Sequence, residues 1–153
     1  MADIVDTATR SRMMSGIRSR HTKPERVIRS GLHRLGFRFR LHGRSLPGTP
    51  DLVFPRFNAV IFVHGCFWHG HDCRFFKMPG TRTDFWKTKF ERNRLTDSSA
   101  NNALLNAGWR VATVWECALR GRSEVQITRL LFRLSNWLSC RRKSLELRGP
   151  NEE

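Results

Sequence analysis

Cys66, His69, His71 and Cys73 lie within a single eight-residue stretch. Zinc is held by four such soft or borderline ligands in a tetrahedron. Cys66, His71 and Cys73 can fill three corners from one loop, and by spacing alone His69 could stand in for His71. Cys117 is the best fourth ligand, because it follows a run that reads as a strand and could lie beside the 59–63 segment. Cys140, at a helix end, is its competitor. Two buried thiols and solvated histidines are the plain alternative. The proximity of two Cys and a His beside Phe67 and Trp68 weighs towards a metal. A metal with four protein ligands has no open position for a substrate, so its role here would be structural.

A second group is made of hard and proton-transferring residues. Asp51 opens a predicted strand after a tight turn, and the next strand ends at His64, with His69 five residues on. If the two strands pair, Asp51 and His64 meet at one edge of a sheet. A carboxylate at a strand end of a basic protein is a natural magnesium ligand: the ion neutralises phosphate and acidifies a water. A nearby histidine can take the proton. The competing readings are a turn-capping Asp51 and a core His64. Glu25 already has a place at the third position of a capping box, Thr22-Lys23-Pro24-Glu25.

The elements that must position these groups can be read from periodicity. Val27, Ile28, Leu32 and Leu35 predict a helix ended by Gly36, and alternation over 37–41 predicts a strand with one wet face. Leu46-Pro47-Gly48-Thr49-Pro50 is a turn, 51–54 a short strand and 59–63 a buried central strand. Residues 64–82 cannot be regular. A helix from about Thr83 to Ala107 follows, with a possible break near Asp97-Ser98-Ser99, then a strand over 109–115. Val125, Leu130, Leu131, Leu134, Trp137 and Leu138 predict a last amphipathic helix. The order favours an α/β sandwich with helices on both faces of a mixed sheet. Residues 1–20 read as an arm or short helix, 21–140 as the main domain and 141–153 as a polar, disordered tail.

The chain has 153 residues, with 28 Lys+Arg against 13 Asp+Glu and a net charge of +15. That imbalance favours a polyanionic partner, since each cation on a phosphate releases a condensed counterion. The basic residues run from Arg10 to Arg148, so this is not a neutral enzyme with one basic tail. There is no Tyr, but there are 11 Phe and 5 Trp, several beside Gly, His and Arg in a predicted loop rather than in a core. No apolar run is long enough for a membrane helix and no secretory signal is visible, so a reducing, cytoplasmic setting is expected, where cysteines serve metals rather than disulfides.

The run Ile61-Phe62-Val63-His64-Gly65-Cys66-Phe67-Trp68-His69, with His71 and Cys73 behind it, resembles the very-short-patch-repair mismatch endonucleases, the Vsr family. Ala8-Thr9-Arg10-Ser11, Leu46 to Asp51, Thr81 to Trp86, Gly108 to Val111 and Val114 to Arg122 extend the likeness over about residues 1–138. The resemblance implies a restriction-endonuclease-like α/β fold: a mixed central sheet flanked by helices, with a structural zinc site. It implies a magnesium-dependent endonuclease that nicks one strand at T·G mismatches left by deamination of 5-methylcytosine. The partner would be double-stranded DNA, met by a monomer in the bacterial cytoplasm near the nucleoid, with other repair proteins following.

By position, Asp51 resembles the family's magnesium-binding aspartate, with the Val63 backbone carbonyl as a further ligand, and His69 its catalytic histidine. Glu25 and His64 resemble residues that hold metal-bound waters. Cys66, His71, Cys73 and Cys117 resemble its zinc ligands. Phe67, Trp68 and Trp86 resemble an aromatic wedge, with Met14 from the arm on the minor-groove side; a mismatch lowers the unstacking cost that such wedges meet. Val63 stands where a polar residue is frequent, which a backbone ligand tolerates. Gly70 and Asp72 stand where some members have further histidines. The rivals are a non-catalytic zinc module that binds distorted DNA and a restriction-type nuclease of the same fold.

Overall fold

A computed structural model describes residues 21–149. Helix α1, Lys23–Arg34, begins where Thr22 caps it: the Thr22 hydroxyl accepts the Glu25 N–H at 3.4 Å. The reciprocal half of the predicted capping box is displaced by one residue, because the Glu25 carboxylate accepts the N–H of His21 rather than that of Thr22. Pro24 suits the first turn, and Gly36, at φ +96°, supplies the left-handed residue that stops the helix.

Five strands follow in sheet order: β1 (Arg40–Leu41), β2 (Leu52–Phe54), β3 (Ala59–His64), β4 (Arg110–Trp115) and β5 (Ser144–Leu147). The first three pair antiparallel, and β3, β4 and β5 are parallel. Parallel neighbours need crossovers. Helix α2, Thr83–Asn106, carries the chain from β3 to β4, and α3, Glu124–Ser139, carries it from β4 to β5.

Side-chain alternation along the strands divides the core between two faces. Ala59, Ile61, Ala112, Val114 and Leu147 pack against Ile28 and Leu32 of α1 and Leu134, Trp137 and Leu138 of α3. Val53, Val60, Phe62 and Val111 pack against Leu104 of α2. Helices on both faces of a mixed sheet are what the element order predicts.

Three local expectations are corrected. The 37–41 strand is only Arg40–Leu41. Helix α2 runs unbroken through Asp97-Ser98-Ser99, since Phe90, Ala100 and Leu104 on one side of it are buried and hold it straight over the break-prone residues. The polar residues after Cys140 are not a frayed tail throughout, because 144–147 add a strand beside β4. There Leu147 is buried and the ladder satisfies backbone groups that the edge of β4 would otherwise leave open. Residues 1–20, with Ala8 to Ser11 and Met14, and the last four residues lie outside the described part. No described helix is long and apolar enough to cross a membrane.

Candidate active site and metal cluster

The paired ends of β2 and β3 open on a cleft of about 580 Å³, lined by Asp51, Val63, His64, Trp68, His69, Asp97 and Glu116 among others. Strand β3 places two of the site residues side by side. The Val63 N–H donates to Asp51 Oδ2 at 2.7 Å, which fixes that carboxylate across the strand boundary. Burial pushes the Asp51 carboxyl up from 3.8 to about 6; the Val63 N–H opposes the rise and Glu25 adds to it. His64 ends the strand and stacks near His69, ring centroids 4.0 Å apart. Burial first, and then the neighbouring His69, lower its pKa from 6.5 to about 4, so His64 is neutral at physiological pH. The Nδ1 of His69 is held by Asp97 Oδ2 from α2. That contact leaves Nε2 of His69 as the ring nitrogen available for proton transfer.

Glu25 is almost fully buried and is held from several sides. Its Oε1 is 2.7 Å from His42 Nε2 and 3.7 Å from Arg29, and its Oε2 accepts the N–H of His21.

Behind the cleft, Cys66, His71, Cys73 and Cys117 bring one ligand atom each to within 4.8 Å of one another. Cys66, His71 and Cys73 come from the loop after β3 and Cys117 from the short turn after β4. The parallel pairing of His64 with Trp115 puts the two loops at the same edge of the sheet. Burial raises the pKa of the Cys66 and Cys117 thiols, while burial and then Arg148 lower that of His71. A cation among them reverses the preference for the thiols, and a neutral imidazole keeps a lone pair to offer. Gly149 donates its N–H to Cys117 Sγ at 3.4 Å. A Cβ on Gly149 would meet the Cys117 carbonyl at 2.5 Å, so only glycine permits that approach. Cys140 lies elsewhere, bonded to the Trp137 carbonyl at the end of α3.

Trp115 separates the two centres. One side of its ring stacks on His71 at 3.9 Å and 1°, and its centroid lies 5.2 Å from His64 and 5.7 Å from His69. Phe67, Trp68 and Trp86 form an aromatic shelf beside the cleft, outside both sheet cores. Phe67 packs on Trp68, Trp86 and the buried Phe90 at centroid distances of 5.1, 5.3 and 5.5 Å. Lys89 lies over Trp68 and Trp86.

The family model for the DNA mismatch endonuclease Vsr matches residues 2–75. The chain is 48% identical over 133 residues to the type II nicking enzyme V.XorIIP of Xanthomonas oryzae pv. oryzae, covering 86% of this chain and 98% of that one. It is 47% identical over 138 residues to the DNA mismatch endonuclease Vsr of Escherichia coli K12, covering 90% and 88%. It is 40% identical over 123 residues to the type II nicking enzyme V.NmeAIP of Neisseria meningitidis, covering 80% and 88%. The chain belongs to the Vsr family of DNA mismatch endonucleases. It is therefore a DNA endonuclease, a hydrolase of phosphodiester bonds that acts on DNA, and the reading as a non-catalytic zinc module is set aside.

In this Vsr-family chain the fold brings Asp51, Val63, His64 and His69 to one cleft and Cys66, His71, Cys73 and Cys117 to one cluster. Sequence reasoning missed Asp97, Trp115 and His42, each of which touches a residue of the site. Asp97 was visible only as part of a presumed helix break, and its partner is 28 positions away. Trp115 read simply as the last residue of a strand. His42 follows a short wet strand and carried no motif.

Proposed function

We propose that this endonuclease nicks one strand of double-stranded DNA at a T·G mismatch, with magnesium in the cleft and zinc in the cysteine cluster, on a restriction-endonuclease-like fold. The observation that carries the reading is the joining in one cleft of a buried carboxylate, Asp51, with the His69–Asp97 pair, beside the Trp68 shelf.

The donor set fits magnesium. Asp51 is a carboxylate held up by burial, a cost that a cation removes. The Val63 N–H points to Asp51, and a strand residue sends its N–H and C=O out on the same side, so the Val63 carbonyl faces the same place. Magnesium bound by Asp51 and that carbonyl would neutralise phosphate charge and acidify water. The protein groups do the rest. His69, with Nδ1 engaged by Asp97, accepts the proton of the attacking water at Nε2. Neutral His64 and buried Glu25 orient water around the phosphate.

The cysteine cluster fits zinc. His71 Nδ1 is 3.6 Å from Cys117 Sγ. Bonds of 2.3 Å to sulfur and 2.0–2.1 Å to nitrogen give a tetrahedral S···N edge of about 3.6 Å. Four protein ligands would leave no open position, so Cys66, His71, Cys73 and Cys117 closed on zinc would pin the loop that carries Phe67, Trp68 and His69.

Phe67, Trp68 and Trp86, with Met14 of the N-terminal arm, form the wedge that opens the mismatch. The place of the three rings outside both cores supports this, as does the preformed shelf, which needs little ordering on binding. The relatives are named nicking enzymes and a mismatch endonuclease, which favours nicking over cutting both strands. Their bacterial sources support a reaction at the chromosome in the cytoplasm, carried out by a monomer that acts ahead of other repair proteins.

The test is Trp68→Ala on end-labelled duplexes. Wedge insertion costs a few kcal/mol per base step, so the variant should lose mismatch incision by at least about tenfold. Weak binding to matched duplex rests on Lys and Arg contacts to phosphate and should change little. A folded variant that loses both equally would transfer the ring to general DNA binding; one that does not fold would transfer it to the core.

A further inference from the structure

His42 ties Glu25 to Asp51, two acidic residues given roles in cleavage above. Its side chain reaches Glu25 on α1, Nε2 to Oε1 at 2.7 Å, while its own N–H donates to the Asp51 carbonyl at 3.0 Å. Gly43 repeats the backbone link to Pro50 at 2.9 Å. The histidine ring is mostly buried, and its backbone sits at φ +52°, a conformation that a non-glycine residue keeps only where its surroundings impose it. His21 stands edge-on to the His42 ring, centroids 4.9 Å apart.

His21, Glu25 and His42 have the composition of a metal site, and their ligand atoms come within 4.8 Å. Arg29 argues against a cation there. Its NH1 is 2.7 Å from His21 Nδ1 and 3.7 Å from Glu25 Oε1, so a fixed positive charge already faces the cluster. The arrangement is a hydrogen-bonded clamp.

We infer that His42 is a positioning residue for DNA cleavage: its ring N–H holds the Glu25 carboxylate in register with Asp51, whose strand its backbone anchors. This rests on the reading of Glu25 as part of the catalytic machinery. No DNA contact is assigned to His42, so its loss acts on the rate of cleavage rather than on substrate affinity.

The experiment compares two side chains of similar length that differ in the donor. His42→Gln keeps an N–H at about the reach of Nε2, and His42→Met does not. Both meet the same backbone cost, and thermal melting checks that both fold; His42→Asn, too short to reach Glu25 but tolerant of positive φ, replaces Met if Met does not fold. With a T·G duplex and magnesium, His42→Met should lower the maximal nicking rate about tenfold or more, at an unchanged half-saturating DNA concentration. His42→Gln should stay within about threefold of the native rate. In a Glu25→Gln background, His42→Met should add little. Equal losses for Gln and Met, a loss confined to DNA affinity, or full additivity with Glu25→Gln would each overturn the inference. A Glu25→Gln protein that nicks at the native rate would instead remove the catalytic reading of Glu25 itself, and the clamp's purpose with it.

Discussion

Asp51 carries opposite demands in folding and in chemistry. Its carboxyl is raised to about 6 in the folded chain from 3.8. Below about pH 3.8 both folded and unfolded chains hold the proton, and burial costs little. As the pH rises from about 3.8 to about 6 the unfolded chain gives up this proton while the folded chain keeps it, so stability falls across that window and levels off above it. By pH 8, without magnesium, the loss is at most about 3 kcal/mol. Asp51→Asn removes that cost and can still accept the Val63 N–H. In magnesium-free buffer at pH 8 it should melt several degrees above the native protein, and the gap should close towards pH 4. The same variant should lose at least about a hundredfold in nicking, the scale for removing a key electrostatic group. Melting curves across pH and an incision assay check both; a variant that melts lower at pH 8, or that nicks normally, contradicts the account.

At the scale of elements, the two loops at the ends of β3 and β4 do the assembling. Parallel pairing of those strands, with Val63 beside Val114 and His64 beside Trp115, carries Cys117 to Cys66, His71 and Cys73. Cys73→Ser should therefore release the one zinc expected per chain and much of the stability, while Cys140→Ser should leave the metal in place. Metal analysis of reduced protein decides it, and loss of zinc from Cys140→Ser would mean the wrong fourth ligand. These strands were legible because Ala59 to Val63 is a continuous apolar run and Val111 to Val114 is broken only by Thr113, itself β-branched, and the loop of the cysteine cluster because Cys66, His71 and Cys73 are neighbours in sequence. Asp97 and His42 were not, since their partners lie 28 and 17 residues away and no local pattern encodes such a pairing. Strand β5 left a fainter trace: Leu145 and Leu147 alternate with Ser144 and Glu146, but the flanking Arg and Lys residues mask it. Helix α2 shows the reverse failure, a local breaker signal at Asp97-Ser98-Ser99 overridden by packing on the sheet.

For the whole molecule, a net charge of +15 draws in any duplex, and discrimination must come from the cleft and its aromatic shelf. Non-specific attraction falls steeply with salt, whereas the lower cost of opening a mispair does not depend on phosphate contacts. What must be measured is therefore selectivity for the mispair. Its most direct test is incision of an end-labelled duplex holding one T·G mismatch, beside its matched control, at physiological salt with and without magnesium. The account predicts a single nick in one strand of the mismatched duplex, dependent on magnesium, and at least about tenfold slower incision of the control. Equal cutting of both duplexes, cleavage of both strands, or full activity without a divalent ion would contradict it.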